Sequence, residues 1–328
     1  MPSIDVSFLA PGNYAQDDPH TGLEGTLRLF ELGERLGYRG AWIRQRHLEA
    51  GVSSAATFLA AATQRTRTIA LGTAVIPIGY ESPFRLAEDL ATVDVLSRGR
   101  LNVGLSAGRP LHFDILAPLV FDDAAGVDVS HARIARLQQA LRSEPLAPSI
   151  GVPGGTVVPR LQPLARGLGD RLWYGGGSLA SADWAGRNGF NLLVSNVTSG
   201  EGTDSFVEAQ LAQIRLFRSI AASARRVAVG RVIVPTDGAD AQTRARYGAY
   251  ARSRHARTLQ PNGDRRTLFA PDLVGTAAEI VDRLLIDPVV QVADELRLEL
   301  PYEFRLGDYQ QILEDAIAFV APGLRLAA

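Results

Sequence analysis

The sequence contains no cysteine among its 328 residues, which excludes disulfide bonds, thiolate metal ligands and cysteine nucleophiles. It also lacks an excess of either charge, because 34 lysines and arginines face 35 aspartates and glutamates, for a net charge of −1. This balance does not favour binding to nucleic acid or to an anionic membrane surface. No apolar run approaches the roughly 20 residues of a membrane span, and the N-terminus does not resemble a signal peptide. We therefore expect a cytoplasmic protein.

The remaining composition is that of a globular chain, with 46% hydrophobic and 21% charged residues. Eight short apolar segments are predicted strands, at residues 5–10, 39–44, 68–76, 101–105, 171–174, 190–195, 226–235 and 295–300. Each is followed by a segment with helical spacing of apolar residues, and this alternation predicts a parallel sheet. Eight such units in this length predict a closed (β/α)8 TIM barrel that forms a single domain over residues 1–328. A doubly wound open sheet is the alternative.

Two segments interrupt the alternation and are predicted insertion loops, at about residues 109–129 and 236–273. The first shows no clear period and contains Pro110, Pro118 and Gly126. The second includes a predicted helix and then a polar stretch at 258–272, which we expect to be mobile. Loops of this kind build the substrate pocket in a barrel enzyme.

A glycine-rich stretch at residues 171–190 carries the most informative local pattern. It predicts a strand, a turn made of Gly175, Gly176 and Gly177, and a helix that opens at Ser178. Glycines allow a ligand to approach the backbone closely, and a helix N-terminus offers free N–H groups to a phosphate. The same pattern is also typical of a tight turn with Ser178 as a simple helix cap.

Active sites of such barrels lie at the carboxyl ends of the strands. The segments to inspect are therefore 10–14, 44–47, 73–77, 106–109, 175–178, 195–196, 234–236 and 301–304.

Four stretches resemble the bacterial luciferase-like family of flavin-dependent oxidoreductases. They are residues 37–47, 67–75, 83–104 and 176–189. The stretch at 83–104 follows the family pattern most closely, with an Ala-Glu pair, then Asp94-Val-Leu-Ser-Arg-Gly-Arg100, then a strand that ends in Gly104. The resemblance is clear over about residues 37–108 and 171–196.

The resemblance implies a flavin-dependent monooxygenase that uses reduced FMN and dioxygen at the flavin C4a position, with the flavin supplying the difficult chemistry. It also implies a small organic substrate, a separate flavin reductase and a homodimer. Two alternatives remain open. One is an oxidoreductase that uses the deazaflavin F420, and the other is a flavin-binding barrel or partner subunit without catalysis.

The resemblance also assigns cofactor contacts to positions of this sequence. The phosphate contacts fall on Ser178 and Ser181, with a backbone N–H from Gly177, and Gly175 and Gly176 are further candidate cofactor contacts. Ring contacts fall on the third strand end at Thr73 and Ala74, where the family often has a non-prolyl cis peptide. Further candidate contacts are Ala10, Ser106 and Arg109.

The candidate catalytic residues lie at the end of the second strand. The family usually has Glu-His-His there, but this chain has Gln45-Arg46-His47. The alignment puts Arg46 at the usual histidine position, and an arginine stabilises an anion but does not act as a base. His47 is therefore the candidate acid or base.

No histidine and carboxylate spacing predicts a metal site. The apolar residues Leu111, Phe113, Ile115 and Leu116 in the first insertion favour an apolar or aromatic substrate.

Overall fold

The computed structural model describes residues 4–123 and 125–326, and eight parallel strands form a closed barrel in it. We number the barrel strands in chain order. They are β1 (Asp5–Ala10), β2 (Gly40–Ile43), β3 (Ala70–Pro77), β4 (Leu101–Ser106), β5 (Leu172–Gly175), β6 (Asn191–Val194), β7 (Val227–Arg231) and β8 (Glu295–Glu299).

The barrel closes because β1 pairs in parallel with both β2 and β8. Its register against β8 runs from Asp5 opposite Glu295 to Leu9 opposite Glu299, and Phe8 lies opposite Ala41 of β2. The remaining strands pair in sequential order around the ring. The predicted (β/α)8 barrel is therefore confirmed, and the open sheet is excluded.

Helices connect the strands on the outside of the barrel. They are α1 (Pro19–Leu36), α2 (Ala55–Arg65), α3 (Pro83–Ser97), α4 (Phe113–Val120), α5 (His131–Leu141), α6 (Leu179–Arg187), α7 (Phe206–Ile220), α8 (Ala241–His255), α9 (Ala277–Leu285), α10 (Pro288–Gln291), α11 (Leu306–Asp315) and α12 (Ala321–Leu326). A π-helical turn at Ala316–Val320 joins the last two.

Local sequence signals set the ends of these helices. Asp18 caps α1 by accepting the N–H of Thr21, and Gly37 ends it in the left-handed conformation with φ 85°. Thr276 and Glu279 form a capping box at the start of α9. Such caps satisfy N–H and C=O groups that a helix end leaves without partners.

The stretch at 83–104 fastens the lower rim of the barrel, where the strands begin. Asp94, in α3, is 2% exposed and accepts two hydrogen bonds from Arg171, at 2.8 and 2.7 Å. Arg100 donates to the carbonyls of Thr66 and Ile69. The 94–100 part of this family pattern therefore has a structural role, and it lies at the opposite end of the strands from the active-site face of a barrel.

The structure corrects the expectation that residues 109–129 lack regular structure, because they contain helix α4. Its residues are apolar on almost every side, which hides the helical period, and Pro118 lies inside it. The side chains of Ile115 and Leu119 are exposed, whereas Phe113 and Ala117 are buried.

The predicted strand at 226–235 also divides. Its first part is β7, and Ile233–Pro235 pairs instead with Leu273–Gly275 outside the barrel. In the predicted polar stretch, Thr267–Phe269 forms an antiparallel pair with Val197–Ser199. Both features depend on strand partners more than 30 residues away in the sequence, so a local sequence pattern does not predict them.

Candidate functional site

A cavity of about 440 Å3 opens at the carboxyl ends of the strands, where barrel enzymes place their active sites. Its volume is within the range of small-molecule sites. Its apolar lining is Leu9, Ala74, Val75, Pro77, Tyr80, Pro110, Leu111, Leu193 and Val197. Its polar lining is Arg44, Gln45, Arg46, His47, Glu49, Ser106, Ser195, Arg297 and Glu299, and the backbone of Gly175, Gly176 and Gly177 completes it.

The three glycines form one edge of the cavity after strand β5. A Cβ on Gly175 would lie 2.9 Å from Cγ1 of Val75, so a side chain there would collide with Val75 of β3. A Cβ on Gly177 would meet no atom within 4 Å. The backbone at Gly177 therefore borders open space, as a bound group that contacts N–H donors requires.

The N-terminus of α6 follows directly and already holds an anion. Ser178 Oγ accepts the N–H of Ser181 at 3.1 Å and donates to Ser181 Oγ at 2.9 Å. The N–H of Leu179 donates to a carboxylate oxygen of Glu201 at 2.6 Å. The helix dipole favours a negative group at this position, and the Glu201 carboxylate supplies one.

The end of β3 forms the neighbouring wall. The peptide bond between Ala74 and Val75 is cis, as the resemblance implied for this position. Ala74 and Val75 both line the cavity.

Two of the candidate contacts lie on the other side of their strands. Ala10 is fully buried in the cluster between strands and helices, whereas its neighbour Leu9 lines the cavity. Thr73 is fully buried, and its hydroxyl exchanges hydrogen bonds with the backbone of Gly104 at 2.9 Å. Side chains alternate between the faces of a strand, so the adjacent positions, Leu9 and Ala74, face the cavity.

Ser106 lines the cavity, but Arg109 does not. The Arg109 guanidinium pairs with Asp114 and lies 4.7 Å from the ring centroid of Phe113. Helix α4, absent from the sequence expectation, supplies both partners and holds Arg109 outside the cavity. Ser178 and Ser181 are also outside the lining, at the start of α6.

His47 and Gln45 form a connected pair on the opposite wall. Gln45 is buried, and its amide donates to Glu81 at 2.8 Å and accepts the N–H of Ala55 at 3.0 Å. Its nitrogen lies 3.3 Å from Nε2 of His47. Burial lowers the pKa of His47, and the nearby Glu81 only partly opposes this shift. His47 is therefore neutral at pH 7.

Two arginines beside His47 converge on one phenol. Arg44 donates to the hydroxyl of Tyr302 at 2.6 Å, and Arg46 donates to the same oxygen at 2.9 Å. Arg44 also forms an ion pair with Glu299, 2.6 Å away, whose side chain is 2% exposed. This arginine–tyrosine cluster (Arg44, Arg46 and Tyr302) makes the wall rich in hydrogen-bond donors.

A third arginine lies deeper in the barrel. Arg297 is fully buried, and its guanidinium carbon lies 3.4 Å from the Trp42 ring centroid and 5.3 Å from that of Trp173. It donates to Glu295. Trp42 thus belongs to the packed floor below the cavity, as a core position and not as a wall of it.

Sequence reasoning missed the charged residues of β8 and the role of Tyr302. Strand β8 reads Glu295-Leu-Arg-Leu-Glu299, and its charged residues alternate with leucine in a segment predicted to be a barrel strand. Because side chains alternate across a strand, this pattern was a usable signal that Arg297 and Glu299 face the barrel interior. The position of Tyr302 depends on its partners and left no such signal.

Neither a metal site nor a membrane segment is found in the described part of the chain. No group of three or more histidine, aspartate or glutamate side chains there is arranged to hold a metal ion. None of the described helices has the length and hydropathy to cross a bilayer.

The profile of the luciferase-like monooxygenase family matches residues 5–289. The chain belongs to this family. The match covers all of β1 to β7 and the cavity residues up to Val197, and it supports the expectation of an oxidoreductase.

Individual relatives match over a shorter segment. The limonene 1,2-monooxygenase of Rhodococcus erythropolis is 39% identical over 106 residues, which are 31% of this chain and 27% of that protein. The 4-hydroxyprotoasukamycin monooxygenase of Streptomyces nodosus subsp. asukaensis is 37% identical over 113 residues, 33% of this chain and 30% of its own. The matched segments thus span less than a third of either relative.

Solved structures share the whole fold at low identity. The monooxygenase RslO1 from Streptomyces bottropensis aligns over 97% of this chain and 99% of its own, with a TM-score of 0.72 and 21% identity. The oxygenating constituent of 3,6-diketocamphane monooxygenase from Pseudomonas putida, in complex with FMN, aligns over 98% of each chain with a TM-score of 0.66 and 13% identity. An F420-dependent secondary alcohol dehydrogenase aligns over 98% and 99%, with a TM-score of 0.63 and 16% identity.

Proposed function

We propose that this protein is a flavin-dependent monooxygenase that binds reduced FMN in the cavity and uses dioxygen to oxidise a small organic substrate. The observation that carries the proposal is the anion-holding start of α6 next to Gly177, whose backbone borders open space. Family membership supports the same chemistry.

The residues present fit FMN. The N–H groups at Gly177 to Leu179 and the hydroxyls of Ser178 and Ser181 would hold the phosphate, after Glu201 has left Leu179. A helix N-terminus with glycines before it is well suited to a phosphate. The apolar wall at Ala74, Val75 and Leu193 would receive the ring system.

Bound reduced FMN would supply the electrons that activate dioxygen. The chain's own residues position the reactants and exclude water. Leu9, Val75 and Leu111 give the cavity apolar walls, which strengthen electrostatic contacts inside it. His47, neutral at pH 7, accepts or returns a proton at a ring nitrogen. Arg46 stays protonated, so it contributes only positive charge and N–H donors.

Direct titration tests the cofactor. Protein is titrated with oxidised and reduced FMN and, in parallel, with F420, and binding is followed by flavin fluorescence. We expect FMN to bind with a dissociation constant well below 1 mM and F420 to bind more weakly. Binding weaker than millimolar for both redox states of FMN would overturn the proposal. Tighter binding of F420 than of FMN would identify F420 as the cofactor instead.

A separate flavin reductase would supply the reduced cofactor, and we propose a homodimer. Sedimentation of the purified protein tests the dimer. The rate of peroxide production from reduced FMN is compared with the rate in buffer alone. A difference between the two rates indicates a site that reacts with oxygen, and equal rates indicate a flavin-binding barrel without catalysis.

A further inference from the structure

The arginine–tyrosine cluster is not needed to bind a phosphate. It lies at the ends of β2 and β8, whereas the start of α6 follows β5. In the ring, β3 and β4 separate β2 from β5. The positive charge at this wall is therefore on a different side of the barrel from the proposed phosphate contacts.

The acidic residues around the cluster neutralise the positive charge of Arg46 only in part. Glu299 pairs with Arg44 at 2.6 Å and also accepts the N–H of Asn196 at 3.2 Å. Arg46 lies 3.5 Å from Glu49, and the Glu49 side chain is 41% exposed. An exposed pair at this distance contributes little.

Donors in the cluster outnumber acceptors. An arginine has five N–H donors, and Arg46 uses one on Tyr302 and one on Glu49. Nε of Arg44 is buried without a hydrogen-bond partner within the described residues. The Tyr302 oxygen accepts from both guanidinium groups, which leaves its own O–H to donate. Unused donors of this kind match a planar carboxylate.

We propose that the substrate of this site is an organic acid, whose carboxylate binds Arg46, which the Tyr302 oxygen orients, and whose apolar body lies against Leu9, Val75 and Leu111. This inference rests on the proposed function and makes it more specific. Expectation from the sequence alone was an apolar or aromatic molecule, and the cluster adds the acid group to it.

The test uses matched acids and amides, which have nearly the same shape but differ in charge. Benzoate, 3-phenylpropanoate and octanoate are each compared with the corresponding amide by calorimetric titration of the FMN-loaded protein. We expect the acid of at least one pair to bind about tenfold tighter than its amide, as a charge-assisted hydrogen bond would give. This preference should fall as salt is raised.

Variants identify the group responsible. R46Q should reduce the acid preference to less than about threefold, and Y302F should reduce it partly. R109Q changes an arginine outside the cavity and should keep the full preference. Thermal unfolding of each variant shows whether it is folded, and FMN affinity should stay within about twofold in R46Q.

Two results on acid binding would overturn the inference. One is the absence of acid preference in all three pairs, and the other is a full preference in folded R46Q. If R46Q instead loses FMN affinity as strongly as acid affinity, the cluster serves the cofactor and the inference is also overturned. A failure of the proposed function gives a different result, because wild-type protein then does not bind FMN while the acid and amide comparison still works on the cofactor-free cavity.

Discussion

The carboxylate of Glu201 accepts the N–H of Leu179 at 2.6 Å, in the position where the proposed function requires a phosphate. Glu201 is exposed and lies in the loop after Val197–Ser199. The contact shows that the helix start binds a carboxylate. Under the proposed function the FMN phosphate has to displace Glu201, so we expect Glu201 to lower the affinity for FMN.

We expect E201Q to bind FMN about fivefold more tightly, because it removes a negative charge worth ~1 kcal/mol at contact distance in water. Fluorescence titration measures the change. Riboflavin, which lacks the phosphate, serves as the control ligand and should bind both proteins equally. Weaker FMN binding by E201Q, or an equal gain for riboflavin, would show that the phosphate does not bind at Leu179.

A substitution of Gly177 is a second test of phosphate binding at the glycine edge of the cavity. Its φ is not positive, and a Cβ there meets no atom, so G177A should fold with unchanged stability. The added methyl group would nevertheless occupy space next to the proposed phosphate, and we expect at least a threefold loss of FMN affinity. G151A, in the exposed hairpin at Ile150–Val152, is the matched control. Unchanged FMN binding by G177A would argue against close contact of the phosphate with this backbone.

The lowered pKa of His47 has a consequence for stability. A histidine in the unfolded chain has a pKa near 6.5, and burial lowers that of His47 in the folded protein. Between the two values the unfolded chain binds more protons, so stability present above about pH 6.5 is lost as the pH falls towards the folded pKa.

Urea unfolding of wild type and H47N between pH 5 and 8 checks this sign. The stability advantage of wild type over H47N should shrink as the pH falls. His131 is also shifted down by burial, but it is present in both proteins and cancels. An advantage that grows towards acid pH would mean that the pKa of His47 is raised.

The pair of Asp94 and Arg171 should affect stability and not the site. D94A leaves the Arg171 guanidinium without its carboxylate at the lower rim, and breaking a buried pair costs about 3 kcal/mol or more. Urea denaturation measures the loss. The control D114A removes the exposed partner of Arg109 and should change the free energy of unfolding by less than about 0.5 kcal/mol. A similar loss in both variants would contradict the structural role of Asp94.

The barrel was predictable because each strand and helix carries its own period and caps. Asp18, Ser178 and Thr276 cap helices at the positions that their residue types indicate. Helix α4 was not predicted because nearly all of its residues are apolar. Without a polar face, its sequence shows no helical periodicity.

The candidate site was predictable to the level of strand ends but not of single side chains. Ala10 and Thr73 differ from the cavity positions Leu9 and Ala74 by one residue, and one residue reverses the face of a strand. The orientation of Arg109 depends on α4, and the convergence of Arg44 and Arg46 depends on Tyr302, more than 250 residues away. Contacts at such separation are set by the closure of the barrel and are not visible in a local pattern.

A crystal structure of the protein with FMN tests the central claim most directly. We expect the phosphate to lie at the start of α6 and to accept the N–H of Leu179, Glu201 to have moved away, and the ring system to lie against Ala74 and Val75. A flavin bound elsewhere, or a phosphate in another position while Glu201 still holds Leu179, would contradict it.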